Sequence, residues 1–204
     1  MSRPTPLAPR APMAPMAPLA PNIARALACG MLLALLAACG GGGGGSPTGP
    51  PPPPSSIVFT PATGGAAGIS LAAGSSSDPT TLVLEVRANG LSDLYGIAFN
   101  LSYPTAVLHF AGGSEGSLLN AGGTVATSLQ VAEAPPGNLI VGLSRLGVVA
   151  GTSGSGVLLT LRFTGVASGS GQFAFARNVA GDSSGAPIGS AAWTAGSVQV
   201  TIVH

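Results

Sequence analysis

The residues able to do acid–base or metal chemistry are few and scattered. From residue 57 onward the carboxylates are Asp78, Glu85, Asp93, Glu115, Glu133 and Asp182, and the histidines of the whole chain are His109 and His204. A glycosidase needs two carboxylates that converge in space, and six acidic residues spread singly over loops and strand faces offer few such combinations. No Gly-x-Ser-x-Gly elbow with a supporting histidine is found; Gly154-Ser155-Gly156 and Gly169-Ser170-Gly171 read as turns. Asp182 lacks the further acidic ligands of a calcium loop and also reads as part of a turn. His109, between Leu108 and Phe110, is expected to face outward on a strand. Both cysteines, Cys29 and Cys39, precede residue 57, which leaves no disulfide framework or thiolate metal site for the rest of the chain. The expectation is a non-enzyme with no cofactor and no bound metal. Trp193 and Tyr95 are the aromatic residues best suited to stack on a sugar ring; the competing reading of Trp193 is a core or edge residue.

The elements that must position these residues are strands. Thr81 to Phe110 contains two strand-like runs joined at Asn89-Gly90. Leu82, Leu84 and Val86 share one face of the first run, and Val83, Glu85 and Arg87 the other. In the second, Ile97, Phe99, Leu101 and Tyr103 alternate with Ala98, Asn100 and Ser102. Side chains alternate across a strand with period two, so one face of each run can enter a core. Further candidates are Ser56–Thr60, Ile69–Ala72, a hairpin of Val125–Val131 and Asn138–Arg145, Val157–Thr164, Gln172–Ala176 and Ser197–Val203. In Val157–Thr164, Val157, Leu159, Leu161 and Phe163 are expected to point one way. Ala111 to Gly123 reads as a Gly-rich loop anchored by Leu118 and Leu119. About nine short strands separated by Gly and Pro, with no helical stripe, predict an all-β antiparallel sandwich or jelly roll over residues 57–204.

The first part of the chain has a different composition. Charged residues are only 6% of the chain and lysine is absent, yet three of the seven arginines (Arg3, Arg10 and Arg25) lie before residue 39. Removal of that region leaves four arginines against six carboxylates, a formal charge of −2, so no basic patch speaks for nucleic acid as a partner. Arg25 precedes the apolar run Ala26 to Cys39, too short to span a bilayer but fit for the h-region of a secretory signal. Its end, Leu36-Ala37-Ala38-Cys39-Gly40, resembles the lipobox of bacterial lipoproteins. That resemblance implies cleavage before Cys39, lipidation of Cys39 and a membrane anchor, with residues 1–38 as leader. The absence of Asp after the Cys is compatible, by the same resemblance, with the outer membrane. The alternative is an ordinary signal peptide cut near Ala38. The Ala-Pro stretch from Met1 to Pro21 is longer than an n-region needs, which a start at Met13, Met16 or another downstream position would explain. Residues 39–56, with six glycines after Cys39 and Pro50 to Pro54, read as a disordered spacer.

The order of the strand signals resembles the cohesin domain, a β-sandwich of cellulosome scaffoldins and other bacterial surface proteins. Val83 to Pro104, Ala106-Val107-Leu108, Gly154 to Gly165, Asp182 to Ile188 and Gly196 to Val200 carry the resemblance. It implies a non-catalytic module, cell-surface and lipid-anchored, serving polysaccharide catabolism by binding carbohydrate or by docking an enzyme that bears a dockerin-like module. The competing class is an adhesion or envelope-scaffold lipoprotein with a protein partner and no sugar role. Two departures stand out. Tyr103-Pro104-Thr105 replaces the Tyr-Asp-Pro common in the family, and Gly96 and Ala98 stand where dockerin-gripping members present polar residues. The binding residues expected here are Gly96, Ala98, Asn100 and Ser102 on the outward face of the central strand, with Trp193.

Overall fold

The computed structural model describes residues 54–64, 67–76 and 78–203, so Cys29, Cys39, the leader, most of the spacer and His204 lie outside the described residues. Ten strands make up the domain: β1 (Ser56–Pro61), β2 (Gly68–Ala73), β3 (Thr81–Ser102), β4 (Leu108–Glu115), β5 (Thr127–Glu133), β6 (Asn138–Arg145), β7 (Thr152–Gly165), β8 (Gly169–Asp182), β9 (Ala192–Thr194) and β10 (Gly196–Thr201). One 3-10 turn, Ala121–Gly123, is capped by the Asn120 side chain. The expectation of an all-β sandwich is met.

β3 organises the domain. Its first half is flanked by β2 and β7, and its second half by β6 and β8. One layer therefore runs β9-β2-β3-β7-β4 and the other β1-β10-β8-β3-β6-β5, with β3 common to both. All pairings are antiparallel except β2 with β9. Asn89-Gly90 is expected from the sequence to be a joint between two runs. The structure makes it a kink inside one 22-residue strand. Register shifts fall between Ala88 and Leu91 and between Leu91 and Leu94, with φ of 58° at Gly90 and 54° at Asp93. Bulges of this kind bend a strand and turn it from one layer into the other. A two-residue turn would instead have folded the halves onto each other, in place of the four neighbouring strands.

The displaced amides of the kink find partners on β7. Gly90 N donates to Ser155 Oγ at 2.8 Å and Asp93 N to Ser153 Oγ at 3.0 Å. Gly154-Ser155-Gly156 is thus strand, not a turn, and Gly169-Ser170-Gly171 likewise begins β8. Two other expectations change. Ala111 to Glu115 belongs to β4, and the chain continues along β7 through Gly116 N to Leu158 O (2.8 Å) and Leu118 N to Val157 O (3.1 Å), so the expected loop is half strand. On β7, Leu159, Leu161 and Phe163 are buried together as expected. Leu158 is buried too, because the shift between Val86 and Arg87 slips one residue at this point and leaves Val157 half-buried.

The inner faces meet in one core. Leu82, Leu84 and Val86 join Ile97, Phe99, Leu101 and Tyr103, with Leu139, Val141 and Leu143 of β6 and Phe173 of β8. Aromatic rings link the two layers: Phe163 of β7 meets Phe173 of β8 edge-on at 5.5 Å, and Phe99 of β3 meets Trp193 of β9 at 5.6 Å.

β8 spans the whole length of its layer. At one end Gly169 pairs with Val200, whose other partner is Ile57; at the other end Asp182 pairs with Leu94. Thirteen strand steps separate these ends, roughly 40 Å at about 3.3 Å per residue. The first strand thus enters at one pole. The kink of β3, the β6–β7 connection and the turn after β8 lie at the other.

Candidate functional site

The outer face of β5, β6, β3 and β8 carries an unusual row of side chains. Ladder register sets Ser128, Ser144, Gly96 and Gly181 side by side, then Gln130, Gly142, Ala98 and Val179, then Ala132, Ile140, Asn100 and Ala176. None of these twelve is charged, and in the second row the small Gly142 and Ala98 lie between Gln130 and Val179. Along that row the centre of the sheet is lower than its flanks, and a shallow hollow of about 410 Å³ opens there, lined among others by Gly96, Ala98, Gln130, Gly142 and Val179, with Tyr95 and Asp182 at its edge. Gly142 leaves it open: a Cβ added there would meet nothing within 4 Å. Gly96 has less freedom, since its Cβ would lie 3.0 Å from Ser144 Cβ and 3.1 Å from Leu143 O. Arg177, at φ 51°, sits exposed in the β8 bulge between the partners of Ala98 and Asn100.

The outer face of the other layer differs in chemistry. There β3 and β7 present Glu85, Arg87 and Arg162, with Glu85 Oε2 and Arg87 Nη1 paired at 2.6 Å. Charge thus collects on one outer face and is nearly absent from the other.

Of the expected site residues, Gly96 and Ala98 line the hollow, while Asn100 and Ser102 continue the same face of β3. Ser102 Oγ donates to Ala174 O of β8 at 3.3 Å. Trp193 is not brought to them. It stands opposite Ile69, a fully buried residue of β2, and its ring packs on Phe99 (5.6 Å) and Phe175 (5.1 Å), on the inner side of β3. Sequence reasoning missed Gln130, Gly142, Ser144 and Val179. Alternation along the Val125–Arg145 hairpin carried the signal for the first three; for Val179 the β8 bulge breaks the period.

Each carboxylate is engaged within the chain. Asp78 accepts from Thr80 N at 2.8 Å, and this amide, then the Thr80 and Thr81 hydroxyls, hold it below the ordinary carboxylate range. Asp182 Oδ1 accepts from Ser184 Oγ (2.7 Å) and from the amides of Ser184 and Ala186 (2.9 Å each), which lowers it likewise and makes the turn. Glu115 accepts from Thr127 Oγ1 at 2.6 Å. Glu133 is lowered by the Tyr103 hydroxyl and then by Gly137 N. Burial first, and then Glu133, push the Tyr103 phenol up to about 12. His109 is exposed on β4. Among the described residues no three of His, Cys, Asp or Glu gather as a metal cluster would require.

The far rim of the hollow is held by Asp93 and Arg145. Asp93 Oδ1 accepts from Gly151 N at 2.9 Å and Oδ2 from Ser183 Oγ at 2.7 Å. Arg145 is 7% exposed; its Nε donates to Leu119 O at 2.9 Å and its Nη1 to Ala150 O. Neither role was visible in the sequence, where both residues read as isolated charges.

No family model matches this chain, and no curated protein does. Solved structures do. The sixth cohesin from Acetivibrio cellulolyticus scaffoldin B, in complex with a mutant Cel5 dockerin, is 19% identical, with 65% of this chain and 97% of that one covered at a TM-score of 0.52. The second type II cohesin module of the ScaA scaffoldin from the same organism is 14% identical, with 74% and 92% covered at 0.51. A type II cohesin from Bacteroides cellulosolvens is 13% identical, with 69% and 99% covered at 0.50. At such identities the likeness is one of fold: the sandwich is cohesin-like.

Proposed function

We propose that this chain is a non-catalytic docking module that takes a protein partner on the outer face of β5, β6, β3 and β8. The observation that carries this reading is the hollow over Gly96, Ala98 and Gly142, in which Asp182 is the one charged lining residue, on a fold shared with a cohesin solved with a dockerin. A shallow, backbone-near surface with so little fixed charge suits close packing by shape. Direct binding of polysaccharide has less support. Sugar rings stack on exposed aromatics, whereas Trp193 faces Phe99 and Phe175 inside the domain, and Tyr95 is the single aromatic lining the hollow. The engagement of all six carboxylates within the chain further favours binding over hydrolysis. In this reading the partner is a dockerin-like module of a polysaccharide-degrading enzyme, held at the cell surface through lipid on Cys39.

The test is selection of a displayed library of dockerin modules on the full-length chain in detergent micelles, beside pull-down on insoluble cellulose and xylan. The expected result is a dockerin binder whose affinity changes by less than about threefold between roughly 0.05 and 0.5 M salt, because this face offers salt little charge to screen, Asp182 and Arg177 at its edge and the Glu85–Arg87 pair on the opposite face. Ala98→Arg should abolish that binding without unfolding the domain. Retention on cellulose or xylan with no dockerin binder would overturn the reading.

A further inference from the structure

The loop between β6 and β7, Leu146–Ala150, is both fixed and apolar. Its backbone is held at both ends: Leu146 N donates to Ala126 O at 2.9 Å, the Tyr95 hydroxyl to Gly147 O at 2.6 Å, buried Arg145 to Ala150 O, and the following Gly151 N to Asp93 Oδ1 at 2.9 Å. Yet Leu146, Val148 and Val149 are 48%, 108% and 38% exposed, and no residue from 146 to 150 is polar or charged. Surface loops are ordinarily polar, and adjacent exposed aliphatic side chains mark interaction sites. A loop ordered in advance loses little conformational freedom on binding.

We infer that Leu146–Ala150 is a preformed anchor whose Val148 enters an uncharged, aliphatic hollow on the protein partner. The inference rests on the docking reading above and extends its footprint. Tyr95 joins the two, lining the hollow with its ring and holding the loop with its hydroxyl. A lipid surface is the poorer occupant, for two reasons. Membrane-seeking segments surround their apolar residues with cations, whereas this chain has no lysine and the arginine next to the loop is buried. The loop also stands at the pole opposite the entry of β1, facing away from where the preceding segment joins the domain.

The experiment measures dissociation constants of the selected dockerin binders for the full-length chain and for Val148→Ser and Ala98→Arg. Val148→Ser should weaken binding by about tenfold or more, chiefly through faster dissociation, while leaving the melting temperature unchanged. Binders lost with Ala98→Arg but held within twofold by Val148→Ser overturn the anchor and leave the docking face standing. Binders weakened by Val148→Ser but indifferent to Ala98→Arg sustain the anchor and overturn the face. Failure to select any binder overturns both. Two further measurements address other occupants. Flotation of the Cys39→Ser chain with phosphatidylcholine vesicles, abolished by Val148→Ser, would assign the loop to lipid and overturn the inference. Concentration-dependent dimerisation in the ultracentrifuge, abolished by the same change, would assign it to a second copy and overturn it as well.

Discussion

The carboxylate of Asp93 reaches the hydroxyl of Ser183 at 2.7 Å, across ninety residues of chain. Its other oxygen takes Gly151 N at 2.9 Å, so one side chain joins the kink of β3 to the two loops beside it. Its backbone, at φ 54°, lies in the left-handed region that Asn tolerates and Ala resists. Asp93→Ala should therefore destabilise the domain by about 1–3 kcal/mol, and Asp93→Asn by less. Urea melts of the two variants check the order, and equal losses would show that the acceptor bonds do not matter.

Phe99 and Leu161 are buried on the two halves of the core. Truncation to Ala should cost about 3–5 kcal/mol for Phe99 and about 2–5 kcal/mol for Leu161. Phe99→Ala carries its own reporter, because it uncovers the ring of Trp193, the single tryptophan of the chain. Its emission should shift to the red in the folded variant, whereas Leu161→Ala should leave it nearly unchanged.

Tyr103 predicts an alkaline limb. Its folded pKa, about 12, stands above the ordinary value of 10.0, so its contribution is complete below pH 10 and is lost as pH rises toward 12. The loss should be on the order of 1 kcal/mol, since the hydroxyl and its partner Glu133 lie near solvent, which screens their interaction. Tyr103→Phe should flatten the limb in melts taken over that range. The depressed carboxylates act on the other side. Asp78, Glu133 and Asp182 stabilise above their ordinary values of 3.8, 4.5 and 3.8, and that stabilisation is lost as pH falls through their lower folded values. An acid limb that begins well above pH 5 would contradict this assignment.

Gly142 and Gly96 predict opposite outcomes for one change. At Gly142 an added methyl meets open space, so Gly142→Ala should be neutral or stabilising by about 0.5–1 kcal/mol through the unfolded chain. At Gly96 it presses on Ser144 and on Leu143 O of the paired strand, and Gly96→Ala should cost about 1 kcal/mol or more. Thermal melts decide between these signs.

Cys39→Ser should move the full-length chain from the detergent phase to the aqueous phase and abolish acyl labelling. Unchanged partition and continued labelling would sink the lipid assignment.

The alternation of Leu82, Leu84 and Val86, and of Ile97, Phe99, Leu101 and Tyr103, was enough to orient both halves of β3, because one buried face leaves a period-two trace in the sequence. The same trace placed Ala98 and Asn100 on the outer face. What it could not convey was continuity through Asn89-Gly90, since a local turn signal is overridden when strands from elsewhere in the chain already flank both halves. β9 was missed for a related reason: three residues held by a parallel neighbour leave no pattern of their own. Gly154-Ser155-Gly156 misled because the Ser155 hydroxyl serves the amide of Gly90, 65 residues away, a long-range use that composition reads as a turn. Trp193 was legible as an aromatic residue but not as an inward-facing one, which depends on its pairing with Ile69.

The position of β1 has a mechanical consequence. Its residues from Ser56 to Pro61 run antiparallel to β10 in six consecutive pairs, starting from the pole opposite the β6–β7 loop. A pull on Ser56 against a load held at that loop would act along the strand axis. The ladder bonds of β1 would then be strained together, in shear, instead of opening one by one from an end. Resistance to forced unfolding is set by the unfolding rate under load rather than by equilibrium stability. A pull applied across β1 from its edge would open the pairs one at a time and find the strand far weaker.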